Sequence, residues 1–120
     1  MDHEEYVLQQ LQRAIDTARG IVAGNIDVVE GSALLDRIRH EVDLAEDPVF
    51  DVFRGVASET DEFPIDEARK EYNPARLAEL DQEKEKYVGL VKNTVVNAAR
   101  QIIVRLRVEI ERRKQSKKHT

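Results

Sequence analysis

Residues 74–113, PARLAELDQEKEKYVGLVKNTVVNAARQIIVRLRVEIERR, carry the longest unbroken pattern in the chain. Leu77, Leu80, Tyr87, Val88, Val91, Val95, Ala98, Ile102 and Leu106 recur at helical spacing and define an inner face. Asn73-Pro74 supplies the start, since an Asn side chain can accept free backbone N–H groups and proline has no N–H to lose at the first helical position. At about 1.5 Å per residue such a helix spans about 60 Å. A compact domain of this size is only about 35 Å across. The helix must therefore kink, with Gly89 or Asn93-Thr94 the weakest points, or pack its far end on another chain. A second stripe (Gly89, Val96, Ile103, Ile110) lies off the first. Apolar residues on more than one side point to burial between helices or to a homodimer seam through residues 88–110.

Upstream, the same period repeats in shorter pieces. Leu8, Leu11, Ile15, Ala18 and Val22 predict a helix over Asp2–Ala23, stopped by Gly24-Asn25, both tolerant of left-handed backbone. Val28, Leu34, Leu35, Ile38 and Val42 predict a second over Ile26–Val42, weakened by Gly31 at about 1 kcal/mol relative to alanine. Asp47-Pro48 reads as a cap and first residue for a third, whose Val49, Phe50, Phe53, Val56 and Ala57 share a face. Phe63-Pro64 opens a loop, with a short helical turn near Asp66–Tyr72. The expected fold is all-α: an up-down bundle of four to five helices with a long, kinked or overhanging C-terminal helix. Residues 1–113 read as one domain and residues 114–120 as a basic, frayed tail.

Composition narrows function mainly by exclusion. The chain has 120 residues, 36% of them charged, and no cysteine, so neither a disulfide framework nor thiolate chemistry is on offer. No run approaches the roughly 20 apolar residues of a membrane span, and MDHEEYVLQQLQ is charged where a signal peptide is apolar. A cytoplasmic setting is expected. The five glycines stand singly, so no phosphate-binding loop is present. His3, His40 and His119 form no catalytic set with Ser or Asp. His40, Glu41, Asp43, Glu46 and Asp47 could in principle hold a metal, but they lie at a helix end with no matching set on a facing helix; a solvated loop is the better reading. We therefore expect no enzyme, no cofactor and no metal.

Charge is unevenly placed. Residues 100–120 hold eight basic and two acidic residues, a net +6, which leaves −11 for residues 1–99 out of a total of −5. Clustered cations can bind nucleic acid by counterion release, yet they also suit a helix C-terminus without any ligand. The acidic body argues against nucleic acid. The stretch Ser58-Glu59-Thr60-Asp61-Glu62-Phe63-Pro64, followed by Asp66-Glu67, is the strongest candidate site. Glu59, Asp61, Glu62, Asp66 and Glu67 would steer a basic protein partner, and Phe63 would anchor it if it faces solvent. Phe63 could equally tuck into the core.

Ser58, Glu59, Thr60, Asp61, Pro64, Arg69, Pro74, Leu77 and Asp81 together resemble the SETD–proline–arginine–aromatic–PxxLxxxD pattern of a small uncharacterised bacterial helical family. Tyr72 stands where that family usually has tryptophan, and Glu30-Gly31 and Arg39-His40-Glu41 are similar too. The resemblance spans about residues 20–110 and implies no particular activity. A physical reading of the motif is a structural latch: Arg69 reaching back to Glu59 or Asp61, Tyr72 packing beside it, and Asp81 pairing with Arg76 or Lys84. Together these features lead to a non-enzymatic protein-binding protein, in its sharpest form an immunity protein that occludes the basic surface of a toxin. A homodimeric structural or regulatory protein, touching nucleic acid with its basic end, is the alternative.

Overall fold

Capping Asp and Asn side chains set where most of the helical segments begin in the computed structural model, which describes residues 1–118 and the side chains of residues 1–116. Asp2 accepts from Glu5 N at 2.7 Å and opens α1 (His3–Ala23). Gly24, at φ 78, closes it in the left-handed conformation that costs glycine nothing. Asp27 takes the amides of Val29 and Glu30 at 3.1 and 3.0 Å, so α2 runs Val28–Glu41 rather than from Ile26. Asp47 caps a 3-10 turn at Pro48–Phe50, which leads directly into α3 (Asp51–Glu59). A second 3-10 turn, Asp66–Glu71, precedes α4 (Pro74–Lys118), which begins as Asn73 accepts from Arg76 N at 2.8 Å. There is no strand among the described residues.

The protein is an all-α bundle built on the C-terminal half of α4. Helix α1 packs along α4, α2 on α1 and α3, and the Pro48–Phe50 turn against α4. Val7, Leu11, Ile15, Leu35, Phe50, Phe53, Val95, Ile102 and Leu106 are buried in one continuous core. Val96 and Ile103, from the second stripe, are half-buried against it, and Ile110 is buried, whereas Gly89 lies exposed. Burying a Leu or Phe side chain is worth about 2–3 kcal/mol, so these positions supply most of the driving force.

Helix α4 is continuous from Pro74 to Lys118, with no break at Gly89 or Asn93-Thr94. The molecule is accordingly elongated, 60 × 28 × 24 Å. The expected kink is absent, and the N-terminal half of the continuous helix extends past the bundle. The basic end also differs from expectation, because residues 114–118 continue the helix; His119 and Thr120 lie outside the described residues.

Gly31 sits inside α2 because α1 passes too close for anything larger. A Cβ there would meet Ile21 Cδ1 at 2.6 Å and Cγ1 at 2.7 Å, and Ile21 is itself locked in the core. Around Gly89 nothing lies within 4 Å. Opposite outcomes are expected from the same substitution. Gly31→Ala should destabilise by about 1–3 kcal/mol through overpacking, whereas Gly89→Ala should stabilise by up to about 1 kcal/mol through helix propensity. Urea denaturation of the two variants checks both signs.

Candidate functional site

Two charged regions compete for attention, and the fold treats them differently. The first is the connection between α3 and α4. Thr60, buried at the end of α3, donates its hydroxyl to the Val56 carbonyl at 2.7 Å and accepts Phe63 N on its own carbonyl at 3.1 Å. This turn folds Phe63 and Pro64 half inward. Phe63 is therefore half-buried, and the exposed apolar residue of this segment is Ile65, at 60%. Asp61, Glu62, Asp66 and Glu67 surround it and are exposed. Glu67 also pairs with Lys70 at 2.9 Å.

Both ends of this connection are tied to α4. At the start, Tyr87 donates its hydroxyl to Glu59, and burial together with that hydrogen bond pushes the phenol up to about 12. Glu59 is thus committed within the molecule, as Glu67 is to Lys70, whereas Asp61, Glu62 and Asp66 have no ion pair among the described residues. At the far end, Arg69 forks onto Asp81: Nη1 donates to Oδ1 at 3.0 Å and Nη2 to Oδ2 at 2.9 Å. The guanidinium's hydrogen bonds hold the Asp81 carboxyl below its usual range. Arg69 reaches forward to α4 rather than back to Glu59 or Asp61. Of the two partners expected for Asp81, Arg76 pairs instead with Glu79 at 3.0 Å, and Lys84 contributes only a weaker charge effect. A planar fork satisfied by both carboxylate oxygens fixes orientation as well as position. Tyr72 lies exposed beside this fork in sequence, at the end of the 3-10 turn.

A groove of about 500 Å³ opens between α2, α3 and this connection, lined by Glu30, Asp36, Arg37, Arg54, Asp61 and Ile65, among others. Its walls mix both signs of charge with the small side chains of Ala33 and Ala57. A partner side chain of either polarity finds a counter-group there.

The second region is the basic end of α4, where three of the arginines, Arg105, Arg112 and Arg113, are paired within the molecule. Glu109 has a side chain only 4% exposed, and it accepts from Arg105, Arg112 and Arg113. Arg105 also donates to Asp47 Oδ2 at 3.0 and 3.2 Å, the oxygen left over from capping the Pro48 turn. Arg113 donates to Glu4 at 3.3 Å and to the Val42 carbonyl at 3.1 Å. Hydrogen bonds from Arg112 first, then Arg105 and Arg113, hold the Glu109 carboxyl down at about 2 against the opposing effect of burial. These arginines are structural. Their spacing around Glu109, four before and three and four after, is an i,i+3/i,i+4 signature that net-charge counting overlooks.

The His40–Asp47 cluster is dispersed. Glu41 accepts the hydroxyl of Tyr6, Asp43 lies 3.9 Å from His3, and Asp47 is held by Arg105. Among the described residues no group of three or more His, Asp or Glu is placed to hold a metal ion. No helix among them is long and apolar enough to cross a membrane. A scan against protein-family models and searches of curated proteins and of solved structures return no match for the chain.

Two predictions follow from the ties. Glu109 is depressed when folded, so its stabilisation is present above its ordinary pKa of 4.5 and lost as pH falls through about 2. Glu109→Gln should cost on the order of 2 kcal/mol at pH 7. The gap to wild type in thermal melts should narrow between about pH 4.5 and pH 2. Asp81→Asn should speed amide exchange in residues 60–72 while leaving exchange in α1 and α2 unchanged.

Proposed function

We propose that this chain is a non-enzymatic protein-binding protein whose acidic connection captures a basic partner. In its sharpest form it is a bacterial, cytoplasmic immunity protein that neutralises a toxin by covering the toxin's basic surface. One observation supports this above the others: Asp61, Glu62, Asp66 and Glu67 stand exposed around the exposed Ile65, on a segment tied at both ends to α4.

Each part of that arrangement has a use in binding. Concentrated carboxylates speed encounter with a cationic surface and discriminate against acidic ones. A single apolar side chain at their centre supplies desolvated contact area once the partner has closed over it. The ties from Tyr87 and Arg69 pre-order the segment, so less conformational entropy is lost on binding. The groove beside Ile65 gives the partner somewhere to insert a side chain. Within this reading Asp61, Glu62, Ile65, Asp66 and Glu67 form the contact surface. Glu59, Arg69 and Asp81 support it from below, and Phe63 packs the turn; Tyr72 is exposed.

The test is paired affinity capture from the native cell with tagged wild type and a triple variant, Asp61→Lys, Glu62→Lys, Ile65→Asp. All three side chains are exposed, so circular dichroism and melting should change little. Wild type should retain one basic protein in stoichiometric amount, and the variant should lose it. Retention of the same partner by the variant would remove the acidic connection as the binding face.

A further inference from the structure

On α4, Leu90, Thr94, Asn97, Gln101, Val104 and Val108 lie one or two turns apart along a single line facing away from the core. The helical period places all of them within about 40° of one direction, roughly 140° from the buried stripe through Val95, Ile102 and Leu106. Leu90 is 84% exposed, Val104 64% and Val108 61%. The polar members between them are all uncharged, in a chain where 36% of residues carry charge. Around Val104 and Val108 the line widens into a groove of about 740 Å³ that also takes in Val49. Neither the core nor the acidic connection uses this face.

Its edges decide what can cover it. Arg100 and Arg107 border the valines on one side and make no ion pair among the described residues, whereas Arg105 and Arg112 on the other are partly neutralised by Asp47 and Glu109. Glu111, near the C-terminal end, is the uncompensated acid closest to the valines. A second copy laid on this face meets the same arginines in either direction. In antiparallel register Arg100 opposes Arg100, and in parallel register Arg100 and Arg107 oppose Arg105 and Arg112. A nucleic-acid backbone could use the arginines but would leave the apolar groove empty.

We propose that this face of α4 is a docking site for an acidic amphipathic helix of another protein, seated with its apolar stripe on Leu90, Val104 and Val108 and its carboxylates on Arg100 and Arg107. The line from Leu90 to Val108 is about 27 Å long, which is the length of a helix of about 18 residues. Apolar side chains at three- and four-residue spacing would enter the groove, and the central Thr94, Asn97 and Gln101 would hydrogen-bond polar groups on the incoming helix. Arg100 and Arg107 would set its orientation and exclude basic helices by repulsion. The site is separate from the acidic connection and does not depend on that region's role.

The experiment uses the full chain with methyl-labelled valines and two synthetic 18-residue helical peptides. Both carry leucines along one face; one has glutamates at the flanking positions, the other lysines. The glutamate peptide should shift the methyl signals of Val104 and Val108 saturably. The lysine peptide should leave those signals in place, even if it binds the acidic connection. Arg100→Glu with Arg107→Glu, and separately Val104→Asp with Val108→Asp, should each weaken the glutamate peptide at least about tenfold, with helicity unchanged. Asp61→Lys with Glu62→Lys should not weaken it. The proposal is overturned if both peptides shift the valines equally, or if either arginine or valine variant binds as wild type. It is also overturned if the free chain sediments as a micromolar dimer dissolved by the valine variant, or if a single-stranded 20-mer DNA displaces the peptide.

Discussion

A buried carboxylate with three guanidinium groups around it holds this molecule in register. Placing Glu109 out of water carries a penalty of several kcal/mol that only close, well-directed hydrogen bonds can offset. Arg105, Arg112 and Arg113 provide them, and two of these carry the connection outward. Arg105 continues to Asp47 at the start of α3, and Arg113 to Glu4 on α1 and the Val42 carbonyl at the end of α2. One point on α4 therefore touches every other helix or its immediate flank. Apolar stripes alone would let α4 slide against α1 by a turn at modest cost, because leucine and isoleucine repeat at similar spacing. The ion node has no equivalent one turn away, so it sets the axial position.

With the C-terminal half of α4 anchored in this way, the N-terminal half extends past the bundle. That extension is stabilised locally rather than by the main core. Leu80 is buried outside the principal hydrophobic cluster, next in sequence to Asp81, whose carboxylate grips Arg69. Tyr87, one and a half turns on, holds Glu59. The acidic connection is thus mounted on the overhang. Its carboxylates stand clear of the arginine node that would otherwise neutralise them. Charge is thus segregated along the molecule, with an acidic surface at one part of its length and an apolar, arginine-edged one at another.

Much of this was legible in local chemistry. Asp47-Pro48, Asn73-Pro74 and Gly24-Asn25 mark helix ends because the groups involved act within four residues of one another, and the apolar period of each helix is a property of its own turn geometry. The aromatic pair Phe50 and Phe53 reads as core for the same reason and is buried. Asp81 and Arg69 could be marked as paired residues, but not with each other. They lie twelve positions apart across a turn whose path depends on how the 3-10 segment lies on α4. Phe63 was the anchor expected from the sequence, yet Ile65 is the more exposed of the two, because apolar residues flanking a proline differ in exposure only once the backbone direction is known. The pairing of Arg105, Arg112 and Arg113 with Glu109 is hidden in the charge balance of residues 100–120, because a count of charges carries no information about which ones meet.

The sequence by itself determined that the chain is helical, where most of its helices start, and that one of them is too long for a compact bundle. Each rests on interactions spanning a turn or two. The inner face read from the sequence is the buried one, with Leu80, Val95, Ala98, Ile102 and Leu106 out of water, and tertiary structure alone decided the fate of the apolar residues off that face. Val96, Ile103, Leu90 and Val104 are equally apolar, and the period of the helix does not say which of them a neighbour covers. Only the packing of the other helices around its axis leaves Val96 and Ile103 half-buried and Leu90, Val104 and Val108 in water.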